Sequence, residues 1–443
     1  MSQLAILGGA PTLTQGDHRP WPQLGARERE AVSRVLERGV LGGEDGPASR
    51  ALEARFAELV GVRHALLTHA GTSALQLALA AAEIAPGEEV ILPAYGYVAA
   101  PLCVLARGGI PRFVDVDRES GNLDPRAVEK VLVEKALTTR ARAIVPMHIH
   151  GCPADMDQLS ALAARHGLAL IEDAAQALGA THRGRPVGGL GASAAFSFQS
   201  TKHVPAGEGG VFVTDDDAAA ERARSARGFG RDVRAQREAG GLVAHTLGGV
   251  GRGNEMMAAV ALAQLERLPE RMATMRWNET LLRDAFADLE GLSLQTVEAD
   301  RTAVWYKLRL HFDARVADLA LAPRALRSLL MRALAAEGVG VTLWQDHLLP
   351  EHPAFAPHGG FERRWPYALH PEPDALRAEY RAERFPRARA LLDASLVLFD
   401  ENRPLIAQTP RTVERVAAAV RKVWAGRHAL ARAFPDEGPT DRT

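Results

Sequence analysis

Cysteine is nearly absent from this chain: Cys103 and Cys152 are the only two in 443 residues. Two thiols build neither a disulfide framework nor a four-cysteine metal site, so no metal is expected and a reducing compartment suits the chain. An excess of either charge is also missing, with 53 Lys plus Arg against 54 Asp plus Glu. Without a basic bias there is little electrostatic drive toward a phosphate backbone, and nucleic acid is not an expected partner. No run of about 18 apolar residues occurs, so a membrane-spanning helix is not expected. The opening MSQLAILGGA carries no basic n-region and no long apolar core, which makes a cytoplasmic location the expectation. Internal repeats and low-complexity tracts are absent too, which removes solenoids and disordered arrays. What remains is ordinary globular composition, 47% apolar and 24% charged, in a chain long enough for two or more domains.

Through the first two thirds, short aliphatic or β-branched runs alternate with helical patterns. HALLT (64–68), EVILP (89–93), PRFVDV (111–116), RAIVPMH (142–148), LALIED (168–173), AAFSF (194–198) and GVFVTD (210–215) read as buried strands. Between them, GTSALQLALAAAEIA (71–85) and DMDQLSALAARHG (155–167) read as helices. That alternation predicts an α/β fold with a mostly parallel central sheet flanked by helices. From Asn254 a long helical run follows, interrupted at Pro269. AVWYKLRLHF (303–312) is then strand-like and RALRSLLMRALAAEG (324–338) helical, as in a smaller α+β domain. The expected division is an N-terminal segment 1–30, a large domain 31–265 and a small C-terminal domain 266–443. The Pro-, His- and Arg-rich stretch 351–385 reads as a long loop that either shapes a site or stands apart.

In parallel sheets ligands sit at the carboxyl ends of the strands. LALIED ends in Glu172 and Asp173; taken alone, Asp173 is as readily a cap for the next turn. Gly71, Thr72 and Ser73 open a helix, where free amides, the positive dipole end and two hydroxyls suit a phosphate or a plain N-cap. AFSFQSTKHVPAGEGG (195–210) places Lys202 between a strand and a glycine-rich loop. Together these parts match the needs of pyridoxal 5′-phosphate (PLP): a lysine, an acid for the ring nitrogen and donors for the phosphate.

GTSAL (71–75), EDAAQALGA (172–180), FSFQSTK (196–202) and GEGG (207–210), in this order and spacing, resemble the DegT/StrS-type family of fold type I PLP enzymes, known as sugar and cyclitol aminotransferases. The resemblance implies that Lys202 bonds to PLP, that Asp173 faces the ring nitrogen and that Gln176 lies near the phenolic oxygen. It assigns Gly71, Thr72, Ser73 and Ser197 to the phosphate, and Tyr97 to stacking on the ring. Two positions depart from the family pattern. Gly96 stands where a threonine is usual, which would widen the site, and Val250 replaces an asparagine that reaches the neighbouring subunit's phosphate. Arg252 is left as the charged donor across a homodimer whose sites lie at the subunit interface.

The implied reaction moves an amino group from glutamine or glutamate to a keto-cyclitol or keto-sugar, in aminocyclitol, amino-sugar or antibiotic biosynthesis. His148, His150, Trp344, Gln345 and His347 are candidate partners for the acceptor's hydroxyls. The competing readings are a PLP-dependent sugar dehydratase, which carries histidine in place of the lysine, and a non-catalytic protein that keeps the fold.

Overall fold

The structure is a computed structural model that describes residues 3–44, 46–133, 140–232, 243–317, 319, 321–355 and 363–435. Its central sheet collects β1 (His64–Thr68), β2 (Glu89–Pro93), β3 (Ile110–Val114), β4 (Ala141–Ile144), β5 (Ala169–Asp173), β6 (Ser193–Ser197) and β7 (Gly210–Thr214). The spatial order is β1-β7-β6-β5-β4-β2-β3, and β7 alone runs against the others. These strands are apolar almost without interruption because helices cover both faces, so side chains of either parity are buried. The seven strand expectations are met to within four residues at each end, two of them without any difference. The largest trim is at β4, where Pro146 ends the ladder and the chain turns at His148–Gly151.

A second sheet follows, formed by β8 (Leu292–Leu294), β9 (Leu308–Phe312), β10 (Val341–Thr342) and β11 (Ser395–Leu398) in the order β8-β9-β11-β10, antiparallel throughout. The helical run after Asn254 is two helices, Glu255–Glu266 and Leu268–Phe286. Pro269 sits in the first turn of the second, where its missing N–H leaves no hydrogen bond unmade. The expected strand 303–312 begins only at Leu308, because the preceding residues bond elsewhere. Val304 and Tyr306 donate their backbone N–H groups to Gly151 and His150, each at 2.9 Å. This crossing carries Tyr306 from the small sheet to the strand ends of the large one.

The stretch 351–385 is a strap along the sheet edge. At its start Leu349 N–H bonds Ala94 O at 2.8 Å, at the carboxyl end of β2. Further on, Phe355 and Tyr380 pack on Phe113 of β3, and His370 Nε2 meets the buried Glu89 at 2.9 Å, at the opposite end of β2. An edge strand covered in this way is closed to pairing with another chain. Residues 356–362 of the strap lie outside the described set. The N-terminal segment packs with a C-terminal helix: Leu4, Leu13 and Trp21 share a core with Val416 and Trp424, and Lys422 Nζ donates to Ala10 O at 3.0 Å. Among the described residues no helix is long and apolar enough to cross a membrane, and no cluster of ligating side chains could hold a metal ion. Both cysteines are free and buried.

Candidate active site

A cavity of about 410 Å³ opens at the carboxyl ends of β5 and β6. It is lined by Gly71, Thr72, Tyr97, Asp173, Gln176, Ser197 and Lys202, so seven of the nine residues singled out in the sequence meet there. Asp173 closes β5 and Ser197 closes β6, with Asp173 registered against Ala195. Alternation along β5 separates the two acids. Glu172 points to the far face, where it accepts from the backbone N–H groups of Gly188, Leu190 and Gly191 at 2.7–2.8 Å and from His148 at 3.1 Å. Asp173 is left for the cavity.

The helix Gly71–Ala81 brings its first turn against β6. A β-carbon on Gly71 would stand 2.7 Å from Ser197 Cβ, so only glycine allows this approach. Thr72 and, one turn on, Leu75 face the cavity. Ser73 is rotated away from it: its hydroxyl lies 2.9 Å from His69 Nε2 and lines a separate depression with Val250 and Gly251. Ser73 therefore does not line the cavity that Thr72 faces. Arg252 is also outside the cavity, paired with Glu44 at 3.0 Å.

Lys202 sits in a turn closed by its own N–H on Gln199 O at 2.8 Å. Burial lowers its amine to about 8, against the opposing pull of Asp173 and Glu401. Burial also raises the Asp173 carboxyl, while the Ala175 N–H, Lys202 and His148 hold it down. Gln176 Oε1 accepts from His150 N–H at 2.8 Å, which leaves the amide NH₂ for a ligand oxygen. Tyr97 is 50% exposed at the rim. The neighbour of Lys202, His203, is packed into the interior with its pKa pushed down to about 3 by burial and by Lys202, and it does not line the cavity.

Two expectations are corrected. Gly96 adds no room, because a β-carbon there would lie 2.3 Å from Met147 Sδ, and Met147 fills that wall itself. Of the five residues considered for the acceptor, only His148 and Trp344 line the cavity; Gln345 and His347 do not, and His150 is buried against Trp344 and Tyr95. Both nitrogens of His148 are already engaged. Nδ1 accepts from Ala154 N–H at 3.0 Å and Nε2 donates to Glu172 at 3.1 Å, so the ring has no nitrogen left for a ligand. Sequence reasoning missed Met147, Gln199, Thr201, Glu208, Tyr306 and Glu401, all of which line the cavity. Gln199, Thr201 and Glu208 were within reach, since they flank Lys202 in the motif itself.

Residues 22–369 match the sequence pattern of the DegT/DnrJ/EryC1/StrS aminotransferase family. Protein MosB of Rhizobium meliloti is 33% identical over 416 residues, 91% of this chain and 77% of MosB. The L-glutamine:2-deoxy-scyllo-inosose aminotransferase of Streptomyces lividus is 38% identical over 349 residues, 75% of this chain and 78% of that protein. The crystal structure of DesI in the presence of its TDP-sugar product superposes with a TM-score of 0.78 at 31% identity, covering 98% of this chain and 99% of DesI. With a fold type I architecture and a match of this extent, the chain belongs to the DegT/DnrJ/EryC1/StrS family of sugar and cyclitol aminotransferases and is itself an aminotransferase.

Proposed function

We propose that this enzyme transfers an amino group from glutamine or glutamate to a polyhydroxylated cyclic ketone, a keto-cyclitol or an uncharged keto-sugar, in aminocyclitol or amino-sugar biosynthesis. The observation that carries the acceptor class is the charge of the cavity wall. Among the described residues no arginine lines it, and Lys202 is its only lysine, while Asp173, Glu208 and Glu401 supply acids. A ketone rich in hydroxyls donates hydrogen bonds to such a wall, whereas a diphosphate would meet carboxylates with no free cation of the same chain to pair it. The name of the Streptomyces lividus relative, an inosose aminotransferase, agrees with this reading.

The residues present fit PLP. Lys202 Nζ makes no hydrogen bond or ion pair with a described residue, yet it is partly desolvated beside a buried acid and the start of a helix. Lys202 would hold the cofactor's aldehyde carbon and Asp173 would face its ring nitrogen. The Gln176 amide would reach its phenolic oxygen, and the Thr72 and Ser197 hydroxyls with the Gly71 and Thr72 amides would take the phosphate. Tyr97 would cover a ring face. Bound there, PLP would supply a sink for the electron pair left behind when a proton leaves the carbon that bears the amine. Lys202 Nζ moves that proton: with its amine near 8 it both accepts and releases protons close to neutrality. Glu172 and Ala154 engage both nitrogens of His148, which fixes its ring as a wall beneath the site.

The test is a product panel read by mass spectrometry. After loading with glutamine or glutamate, the enzyme should be returned fastest by scyllo-inosose-like ketones, with nucleotide-linked 4-keto-hexoses second. Faster return by nucleotide-linked sugars, or by branched-chain or aromatic keto acids, refutes the acceptor assignment.

A homodimer with shared sites belongs to the same reading. Phe229, Leu247 and Val250 are exposed next to one another, Leu247 at 78% and Val250 at 51%, with Leu41 and Met256 close by across the Gly42–Asn254 bridge. An apolar patch of this kind marks an interface. Twofold pairing would bring Arg252 of each copy toward the other's helix 71–81. Mixing inactive Lys202→Ala and Arg252→Ala chains should restore activity, because a hybrid keeps one intact site. A monomer that is fully active at assay dilution contradicts the dimer.

A further inference from the structure

The Lys202 amine has no polar partner among the described residues, but it has a defined seat. Nζ stands 4.2 Å from the centre of the Tyr306 ring. Tyr306 is buried, lines the cavity, and reaches it by the backbone bond to His150 that pulls residues 304–306 away from the small sheet. Its hydroxyl lies 2.7 Å from Thr201 Oγ1, and Thr201 Oγ1 in turn donates to Gln199 Oε1 at 2.7 Å. A hydroxyl has one proton to give. Since Thr201 gives its own to Gln199, its oxygen accepts from Tyr306, and the phenol proton is directed away from the amine. Lys202 therefore meets the π face of the ring, which attracts a cation.

We propose that Tyr306 is a positioning residue for Lys202, its ring face holding the amine while the Tyr306–Thr201–Gln199 relay fixes the ring to the lysine's own turn. The inference rests on the reading of Lys202 as the amine that carries the reaction. Gln199 serves twice, taking the Lys202 N–H on its backbone oxygen and the Thr201 hydroxyl on its side chain. Ring and amine, which lie about 100 residues apart in the chain, are thus referred to one turn. That arrangement keeps Nζ within reach of the reacting carbon after it has been displaced from the cofactor.

The other charges around the amine are Asp173, Glu208 and Glu401 in the wall, Lys307 behind the ring, and the histidines 148 and 203. Lys307 Nζ is 5.1 Å from the same ring but pairs with Glu401 at 2.8 Å, and His203 is neutral. Removing the Tyr306 ring takes away an attraction for the charged amine and leaves these groups in place, so the amine should lose its proton at lower pH.

The measurement is the pH dependence of Lys202 labelling by an amine-reactive reagent in the cofactor-free full-length protein, read by peptide mass spectrometry. Wild type should show a midpoint near the value of about 8 set by burial. Tyr306→Leu should lower the midpoint by about one pH unit. Tyr306→Phe, which keeps the face, should stay within about a few tenths. Phenylalanines carrying one, two or three fluorines at position 306 weaken the face without changing its shape and should lower the midpoint in steps, which guards against a leucine variant that does not fold. In the loaded enzyme Tyr306→Leu should cut kcat about tenfold with donor KM nearly unchanged. A wild-type midpoint in folded Tyr306→Leu, or a flat fluorine series, overturns the proposal. Full transamination by Lys202→Ala would overturn the underlying reading of Lys202 instead, so the two failures are told apart.

Discussion

Replacing Lys202 by alanine should reduce transamination by about 10⁴-fold or more, because in the proposed function one side chain supplies both the covalent hold on the cofactor and the acid–base step. Lys202→Arg should fail as badly, since a guanidinium stays charged and cannot serve as nucleophile or base. The fold should not suffer. Lys202 makes no hydrogen bond or ion pair with a described residue, so its loss leaves no orphaned partner, and melting should shift by at most a few degrees, upward if at all. The pH dependence of stability gives a second readout. A lysine whose folded pKa is about 8 binds fewer protons folded than unfolded between that value and about 10.4. Wild-type stability therefore falls as pH drops through that window, and the alanine variant should lack this slope. Borohydride reduction of loaded wild type followed by peptide mapping should place the pyridoxyl group on Lys202. Finding it on Lys307, whose amine is held by Glu401, would overturn the assignment.

The large sheet was legible because its strands are buried on both faces and bounded by glycine, proline and acidic residues, a pattern that local sequence carries unaided. The meeting of Asp173, Ser197 and Lys202 at one cavity was legible for a related reason: they lie at or just past strand ends, where topology rather than packing detail fixes position. Three features were not. Tyr306 was read as part of a continuous strand, since nothing in AVWYKLRLHF signals that residues 304–306 leave the sheet to bond with His150 and Gly151. The strap 351–385 was left between two roles, because its anchors, Glu89 and Phe113, are more than 200 residues away in sequence. Gly96 was read as open space, whereas the volume belongs to Met147, a residue of another strand end. In each case the deciding partner is distant in the chain, and no local periodicity encodes it.

Asp173 should separate cleanly into two possible roles when alanine and asparagine are compared. In the structure Asp173 Oδ1 accepts from Ala175 N–H at 3.2 Å, the geometry of a turn cap, and a cap of this kind contributes about 1 kcal/mol. Asparagine keeps that bond, because its carbonyl oxygen accepts in the same place, but it carries no charge. If Asp173 were only a cap, Asp173→Asn would be nearly wild type and Asp173→Ala slightly less stable with normal turnover. The burial that raises its carboxyl argues for the other role. A desolvated acid is costly, and here the nearby compensating charges are Lys202 and, after it, His148. Once Lys202 has bonded to the cofactor, the ring nitrogen becomes the group that Asp173 can hold protonated. Both variants should then lose about 10³-fold in kcat, with cofactor affinity changed far less, because the carboxylate matters most when electron density builds up at the reaction centre. Single-turnover rates alongside PLP titration make the distinction. Near-normal turnover by Asp173→Asn would reduce the residue to a cap, whereas loss in both variants with PLP still bound establishes the charge as its contribution.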